Sequence, residues 1–127
     1  MKIKNGIDII EVKRIEDSIK QHGEGFLTRV FTEKEIEYCE SKKVNKFQSY
    51  AARFAAKEAV FKAISGAVSN KYEVNWQDIE ILNDEAGRPY VNFSNKLQKL
   101  GLKNENIDVS LSHIKEQAIA SAVLIVD

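Results

Sequence analysis

Apolar and polar residues alternate over Ile3–Ile10, which predicts a strand with Ile3, Ile7 and Ile9 on one face and Gly6, Asp8 and Ile10 on the other. The period then changes. From Glu11 to about His22 the apolar Val12, Ile15 and Ile19 recur at helical spacing, Lys13, Arg14, Glu16, Asp17 and Lys20 point outward, and Gly23 and Gly25 break the helix. Phe26–Phe31 fits one or two helical turns. Thr32 and Glu35 have the spacing of a capping box and start a helix to about Glu40. Ser41–Asn45 is a polar loop, and a long helix follows to about Ser65.

That helix is the strongest signal in the chain. Arg53–Ala63 holds four alanines and no β-branched run, and no Gly or Pro follows until Gly66. At about 3.6 residues per turn Phe54, Glu58, Phe61 and Ser65 share one stripe. Phe47, Tyr50 and Ala51 extend it backwards, so the stripe is expected to face the core. Glu58 then stands where an apolar residue would pack better, and a carboxylate there needs a cation, a metal or a hydrogen-bond donor. Lys62 follows it at i+4, and Arg53 and Lys57 repeat that spacing. An ordinary salt-bridged helix would have the same pattern. Asp8 is also out of place, because Asp is disfavoured in strands and isoleucines flank it. It could cap the next helix, pair with a lysine, or present a metal ligand.

In the second half, Gly66–Asn75 reads as a polar connection and Trp76–Leu82 as a strand. Asn83–Pro89 has turn chemistry, with Gly87 able to take positive φ. Tyr90–Phe93 returns as the partner strand, and Ser94 caps a short helix ended by Gly101. Ile107–His113 alternates again, Ile114–Gln117 makes a hairpin, and Ala118–Val126 suits the centre of a sheet. The reading is α+β: an antiparallel sheet from the second half packed against one long helix, with additional short helices, as a single domain over residues 1–127.

Composition narrows this further. Of 127 residues, 43% are hydrophobic and 30% charged, with 19 basic and 19 acidic, so overall charge does not argue for nucleic acid. No apolar run approaches the roughly 20 residues that span a bilayer. Met1–Gly6 has no signal-peptide core, and Cys39 has no cysteine to pair with, so the expected location is the cytoplasm.

Gly6-Ile7-Asp8-Ile9-Ile10-Glu11 with Arg14-Ile15, and Arg53-Phe54-Ala55-Ala56-Lys57-Glu58-Ala59 with Lys62-Ala63, resemble the holo-acyl-carrier-protein synthase family. So do Trp76–Ile81, Gly87-Arg88-Pro89, and Ser110-Leu111-Ser112-His113 with Ala118 and Ala120. The motifs run in order over nearly the whole chain. The resemblance implies transfer of the 4′-phosphopantetheine arm of coenzyme A to a serine of apo acyl carrier protein, with release of adenosine 3′,5′-bisphosphate, in support of fatty acid biosynthesis. It implies Mg²⁺ held by Asp8 and Glu58, an ion suited to carboxylates, phosphate oxygens and water. It also implies catalytic roles for Glu58 and Lys62, the latter at the pyrophosphate. Arg53, Lys57, Lys62, Gly66 and His113 are the implied coenzyme A contacts. Which group takes the serine proton stays open.

The chain departs from the family after the long helix, where Ser65-Gly66-Ala67 replaces a Gly-x-Gly turn and Val68–Asn75 is longer than usual. The partner surface implied for an acidic carrier is Lys13, Arg14, Lys20 and Arg29, although Glu16 and Asp17 interrupt it and a solvated helix face has the same look. The resemblance further implies a homotrimer with sites between subunits. Two rivals share part of this pattern: a non-enzymatic module for an acidic partner, and a Mg²⁺-dependent hydrolase of nucleotide pyrophosphates.

Overall fold

The computed structural model describes residues 1–68 and 74–127. In order these form β1 (Lys2–Glu11), α1 (Val12–His22), α2 (Glu24–Val30), α3 (Glu33–Glu40), α4 (Lys46–Ile64), β2 (Ile79–Asn83), β3 (Pro89–Phe93), α5 (Asn95–Lys99), β4 (Ile107–His113) and β5 (Gln117–Val126). The fold is α+β, as the patterning indicates. The sheet is not confined to the second half, however. β1 pairs antiparallel with β5, giving a three-stranded sheet of order β1-β5-β4, while β2 and β3 form a separate antiparallel pair. Small and β-branched residues place β5 at the centre, with Asp8 opposite Ala120 and His113 opposite Ala118.

Helix α4 lies on the sheet and is buried on most of its circumference, a property of helices enclosed by other elements rather than lying on a surface. Its buried residues include Ala55, Ala56, Ala59, Val60, Ala63 and Ile64, which pack with Ile79, Ile81, Val91, Phe93, Val109, Ala120, Ala122 and Leu124. The expected orientation is therefore corrected. Phe54, Glu58 and Phe61 are only half-buried and Ser65 is exposed, so their stripe is the accessible edge of α4. The alanines face the sheet because small side chains let the backbones approach closely.

Gly6 marks the tightest approach. A Cβ there would lie 2.0 Å from the Ala59 carbonyl oxygen and 2.9 Å from Lys62 Cβ, so only glycine fits. This contact brings Asp8, two residues along β1, beside the accessible edge of α4.

A second core joins α1, α2 and α3 to the start of α4 through Val12, Ile15, Phe26, Val30, Phe31, Cys39 and Tyr50. Gly23 ends α1 at φ 56°, but Gly25 lies inside α2 rather than breaking the chain. The Thr32–Glu35 capping box forms as the spacing predicts, with the Thr32 side chain accepting from Glu35 N and the Glu35 carboxylate from Thr32 N. Trp76–Asp78 is a 3-10 turn and not the start of a strand, because Asn75 and Asp78 close their own capping box there. Gly87 takes φ 85° in the β2–β3 turn. Within the connection expected from Gly66 to Asn75, residues 69–73 lie outside the described residues.

Candidate active site

Asp8 and Glu58 converge on one recess of about 300 Å³, lined also by Ile9, Arg14, Ser18 and Phe54. Asp8 arrives on β1 and Glu58 on the accessible edge of α4, one turn after Phe54. Burial, and then the neighbouring charge of Asp8, raise the Glu58 carboxyl above its ordinary value of 4.5, with Lys62 opposing. Two carboxylates that repel across a half-dry recess would be relieved by a cation between them. Among the described residues no three His, Cys, Asp or Glu side chains are grouped as around a metal held wholly by protein. The donor set fits Mg²⁺, which commonly takes one or two carboxylates and completes its shell with phosphate oxygens and water.

Lys62 does not pair with Glu58 along its own helix. Its ammonium lies 3.5 Å from Asp8 Oδ1 and donates to the Ile7 carbonyl at 2.8 Å, so it stands on the strand side of the two carboxylates, half-exposed.

Glu58 also lines a second recess of about 300 Å³, more apolar, with Phe61, Val74, Asn75, Trp76 and Ile79. The Trp76 ring stacks on Phe54 with centroids 4.9 Å apart. The pair thus contributes a wall to each of the recesses that Glu58 lines.

Arg53 and His113 meet elsewhere. They line a third recess with Lys42, Gln48, Asn83 and Pro89, and neither Asp8 nor Glu58 belongs to it. Arg53 is 4% exposed, its guanidinium lies 3.9 Å over the Tyr38 ring, and Nη2 donates to Asn83 Oδ1. Its buried Nε has no hydrogen-bond partner. Arg53, His113 and Lys42 around one recess bring together the donor types that a phosphate accepts from. Lys42 and Asn83 were not singled out by the sequence, since each sits in a polar loop or turn that looks like solvated connection.

Lys57 is a correction. Its side chain is fully buried and its ammonium meets Glu35 Oε1 at 2.8 Å, the Trp76 carbonyl at 3.0 Å and the Ile79 carbonyl at 2.7 Å. All three N–H donors are used inside the protein, so the chain spends Lys57 on its interior and not on a coenzyme A phosphate. Burial lowers its proton affinity, with Glu35 opposing.

Gly66 is exposed just beyond α4 and outside the positive-φ region, and a Cβ there would meet only the end of the Lys4 side chain, at an ordinary 3.7 Å from Nζ and 3.8 Å from Cε. Nothing in its surroundings requires glycine. Of the four basic residues expected on a partner surface, Lys13 pairs with Asp17 at 3.2 Å and Lys20 with Glu16 at 2.6 Å. Arg14 is exposed and lines the Asp8–Glu58 recess, and Arg29 is exposed near the end of α2.

Residues 5–122 match the 4′-phosphopantetheinyl transferase superfamily. The chain belongs to that family. Within it, a holo-[acyl-carrier-protein] synthase from Ruminiclostridium cellulolyticum is 48% identical over 126 residues, covering 98% of this chain and 92% of that one. Among solved structures, the Helicobacter pylori holo-[acyl-carrier-protein] synthase in complex with coenzyme A matches with a TM-score of 0.80 at 30% identity, covering 95% of this chain and 99% of that one. The Bacillus anthracis holo-(acyl-carrier-protein) synthase in complex with CoA (3′,5′-ADP) matches with a TM-score of 0.74 at 35% identity, covering 95% and 94%. No helix among the described residues is long and apolar enough to cross a membrane.

Proposed function

We propose that this chain is a holo-[acyl-carrier-protein] synthase, moving 4′-phosphopantetheine from coenzyme A to a serine of apo acyl carrier protein. The observation that carries this is the convergence of Asp8 and Glu58, with Lys62 beside Asp8, in a chain of this family. In the reaction the serine oxygen bonds to the β-phosphorus of the coenzyme A pyrophosphate. The bond from that phosphorus to the bridging oxygen breaks, and adenosine 3′,5′-bisphosphate leaves with the bridging oxygen.

Asp8 and Glu58 are the residues that would hold Mg²⁺, which when bound supplies positive charge to the pyrophosphate oxygens. Lys62 places a further cation on the same side, where negative charge grows on the departing phosphate. Phe54 and Trp76 keep part of the Glu58 surroundings dry, which strengthens each of these interactions. Arg53 and His113, with Lys42 alongside, are set to take another phosphate of the same donor. Gly66, exposed just beyond α4, would meet that donor through its backbone. A carrier docked over Arg14 and Arg29 would bring its serine toward Asp8 and Glu58.

The separation of Arg53 and His113 from the carboxylate recess supports a site completed between copies of the chain. So does the outer face of the sheet. Ile3, Ile7 and Ile9 of β1 are 59–65% exposed, and they lie alongside Ile119, Val123 and Ile125 of β5. An exposed face this rich in isoleucine and valine, broken only by Asn5 and Ser121, suits an interface, and a homotrimer is the assembly proposed for it. Light scattering on wild type and Ile7→Lys tests this, with the mass of three chains expected for the first and of one for the second. A monomeric wild type would contradict it. The buried lone thiol of Cys39, raised to about 11 by burial, fits a reducing, cytoplasmic compartment.

The test of function is to incubate the chain with Mg²⁺, coenzyme A and apo carrier protein and to weigh the carrier by mass spectrometry. One added phosphopantetheine is expected. Consumption of coenzyme A with an unchanged carrier would indicate a hydrolase, and no reaction at all a binding module.

A further inference from the structure

We propose that the buried pair Glu35–Lys57 positions the Glu58 site through Trp76; this rests on the transferase reading above and adds two residues to its machinery. The pair binds together four segments at one point. Lys57 comes from α4, immediately before Glu58, and donates to the carbonyls at both ends of the stretch Trp76–Ile79. Glu35 comes from α3, and its Oε2 accepts from the Ile81 backbone N–H at 2.8 Å while Oε1 accepts from Thr32 N at 2.8 Å and from Lys57. Both side chains are fully buried.

An apolar pair of the same volume would leave the Trp76 and Ile79 carbonyls and the Thr32 and Ile81 N–H groups without partners, which is why two charges occupy the interior here. A second contact ties the same stretch to α2, since Gln77 donates to the carbonyls of Thr28 and Phe31. The consequence reaches the site through one ring. With its carbonyl held by Lys57, Trp76 is fixed against Phe54, and these two rings contribute walls to the recesses that Glu58 lines. Without the pair the backbone at Trp76 loses its tether to α4, and the wall beside Glu58 loosens. Glu35 and Lys57 touch no substrate; they act through Trp76 and are positioning residues.

Trp76 is the sole tryptophan of the chain, so its fluorescence reports this wall directly. The experiment compares wild type, Lys57→Met, Glu35→Gln and Trp76→Leu below their melting temperatures, reading kcat, KM for coenzyme A and, where Trp76 is kept, its emission and acrylamide quenching. For the two pair variants we expect kcat to fall about tenfold or more, as misplacement near reacting groups does. KM for coenzyme A should stay within about twofold, Trp76 emission should shift to the red and quenching should rise. Should both pair variants fail to fold, Trp76→Leu decides, since Trp76 is partly exposed and its replacement leaves the ion pair intact. A comparable loss of kcat there supports the proposal, and unchanged kcat overturns it. Pair variants with lowered melting temperature but wild-type kcat and fluorescence would show a purely structural pair. A wild type that performs no transfer would overturn the transferase reading itself, whereas wild-type turnover with unmoved variants overturns the positioning role alone.

Discussion

Lys62 reaches from α4 to Asp8 on β1, 3.5 Å from Nζ to Oδ1, and leaves Glu58 on its own helix without a direct ion pair to it. The ammonium thus sits on one carboxylate while the other keeps a raised proton affinity. If Lys62 serves the leaving phosphate, Lys62→Ala should lower kcat by about 10²-fold, in the range for loss of one electrostatic contact. KM for coenzyme A should change little, because such a contact forms mainly in the transition state. Raised KM at constant kcat would make Lys62 a ground-state phosphate contact instead.

Glu58 predicts a stability signature independent of turnover. Its folded-state pKa is raised, by burial first and then by Asp8, so the native state binds more protons than the unfolded one above about pH 4.5. Stability therefore falls as pH climbs from the ordinary carboxylate value through the raised one and stays lower beyond it. Glu58→Gln removes that loss, so the metal-free variant should melt at a higher temperature than wild type near pH 7 and match it near pH 3. Added Mg²⁺ should stabilise wild type and leave the variant unmoved. A variant that melts lower than wild type at pH 7 would contradict the electrostatic account of the recess.

Much of the fold was legible in the sequence, because local chemistry decides it: the Thr32–Glu35 capping box, the Gly87 turn and the alternation of β4 each depend on a few adjacent residues. The orientation of α4 was not. A stripe of Phe54, Glu58 and Phe61 looks like a core face only if large apolar residues are assumed to lie deepest. Here close approach to the sheet selects alanines, and the aromatic residues wall the open edge. Lys57 was misread for a related reason. Its partners lie 22 residues earlier, in Glu35, and in the backbone carbonyls of Trp76 and Ile79, which no pattern of side chains announces. Asp8 stood out because it broke the pattern of its strand, whereas Glu58 stood out only against a core face that α4 does not have there, and it took the fold to bring the two together.

Gly6→Ala should destabilise the protein by at least about 1–3 kcal/mol, the range for overpacking a tight core contact. The added Cβ would lie 2.0 Å from the Ala59 carbonyl oxygen, and backbone cannot move aside as a side-chain tip can. Transfer should fall as well, since β1 must shift off α4 and carry Asp8 with it. Thermal melting together with a transfer assay checks this, and a variant of wild-type stability would show that β1 and α4 can separate freely.

On the partner side, the ion pairs of Lys13 and Lys20 leave Arg14 as the exposed cation that lines the carboxylate recess. Arg14→Glu should raise KM for the carrier protein about tenfold or more at low salt, with KM for coenzyme A nearly unchanged, and Lys13→Ala should do far less. The wild-type interaction should weaken with salt, because exposed charges are screened over about 8–10 Å at physiological ionic strength. Equal carrier KM values for wild type and Arg14→Glu would return α1 to a solvated face.

The most direct test of the account is the mass of the carrier protein after incubation with coenzyme A across a Mg²⁺ titration, using wild type, Asp8→Asn and Glu58→Gln. Both substitutions keep side-chain size and remove the charge. Wild type should load one phosphopantetheine per carrier only when the divalent ion is present, and each variant should be slower by at least about 10²-fold while keeping its circular dichroism. Loading by wild type in excess chelator, or by either variant at the wild-type rate with limiting Mg²⁺, would contradict a cation shared by Asp8 and Glu58.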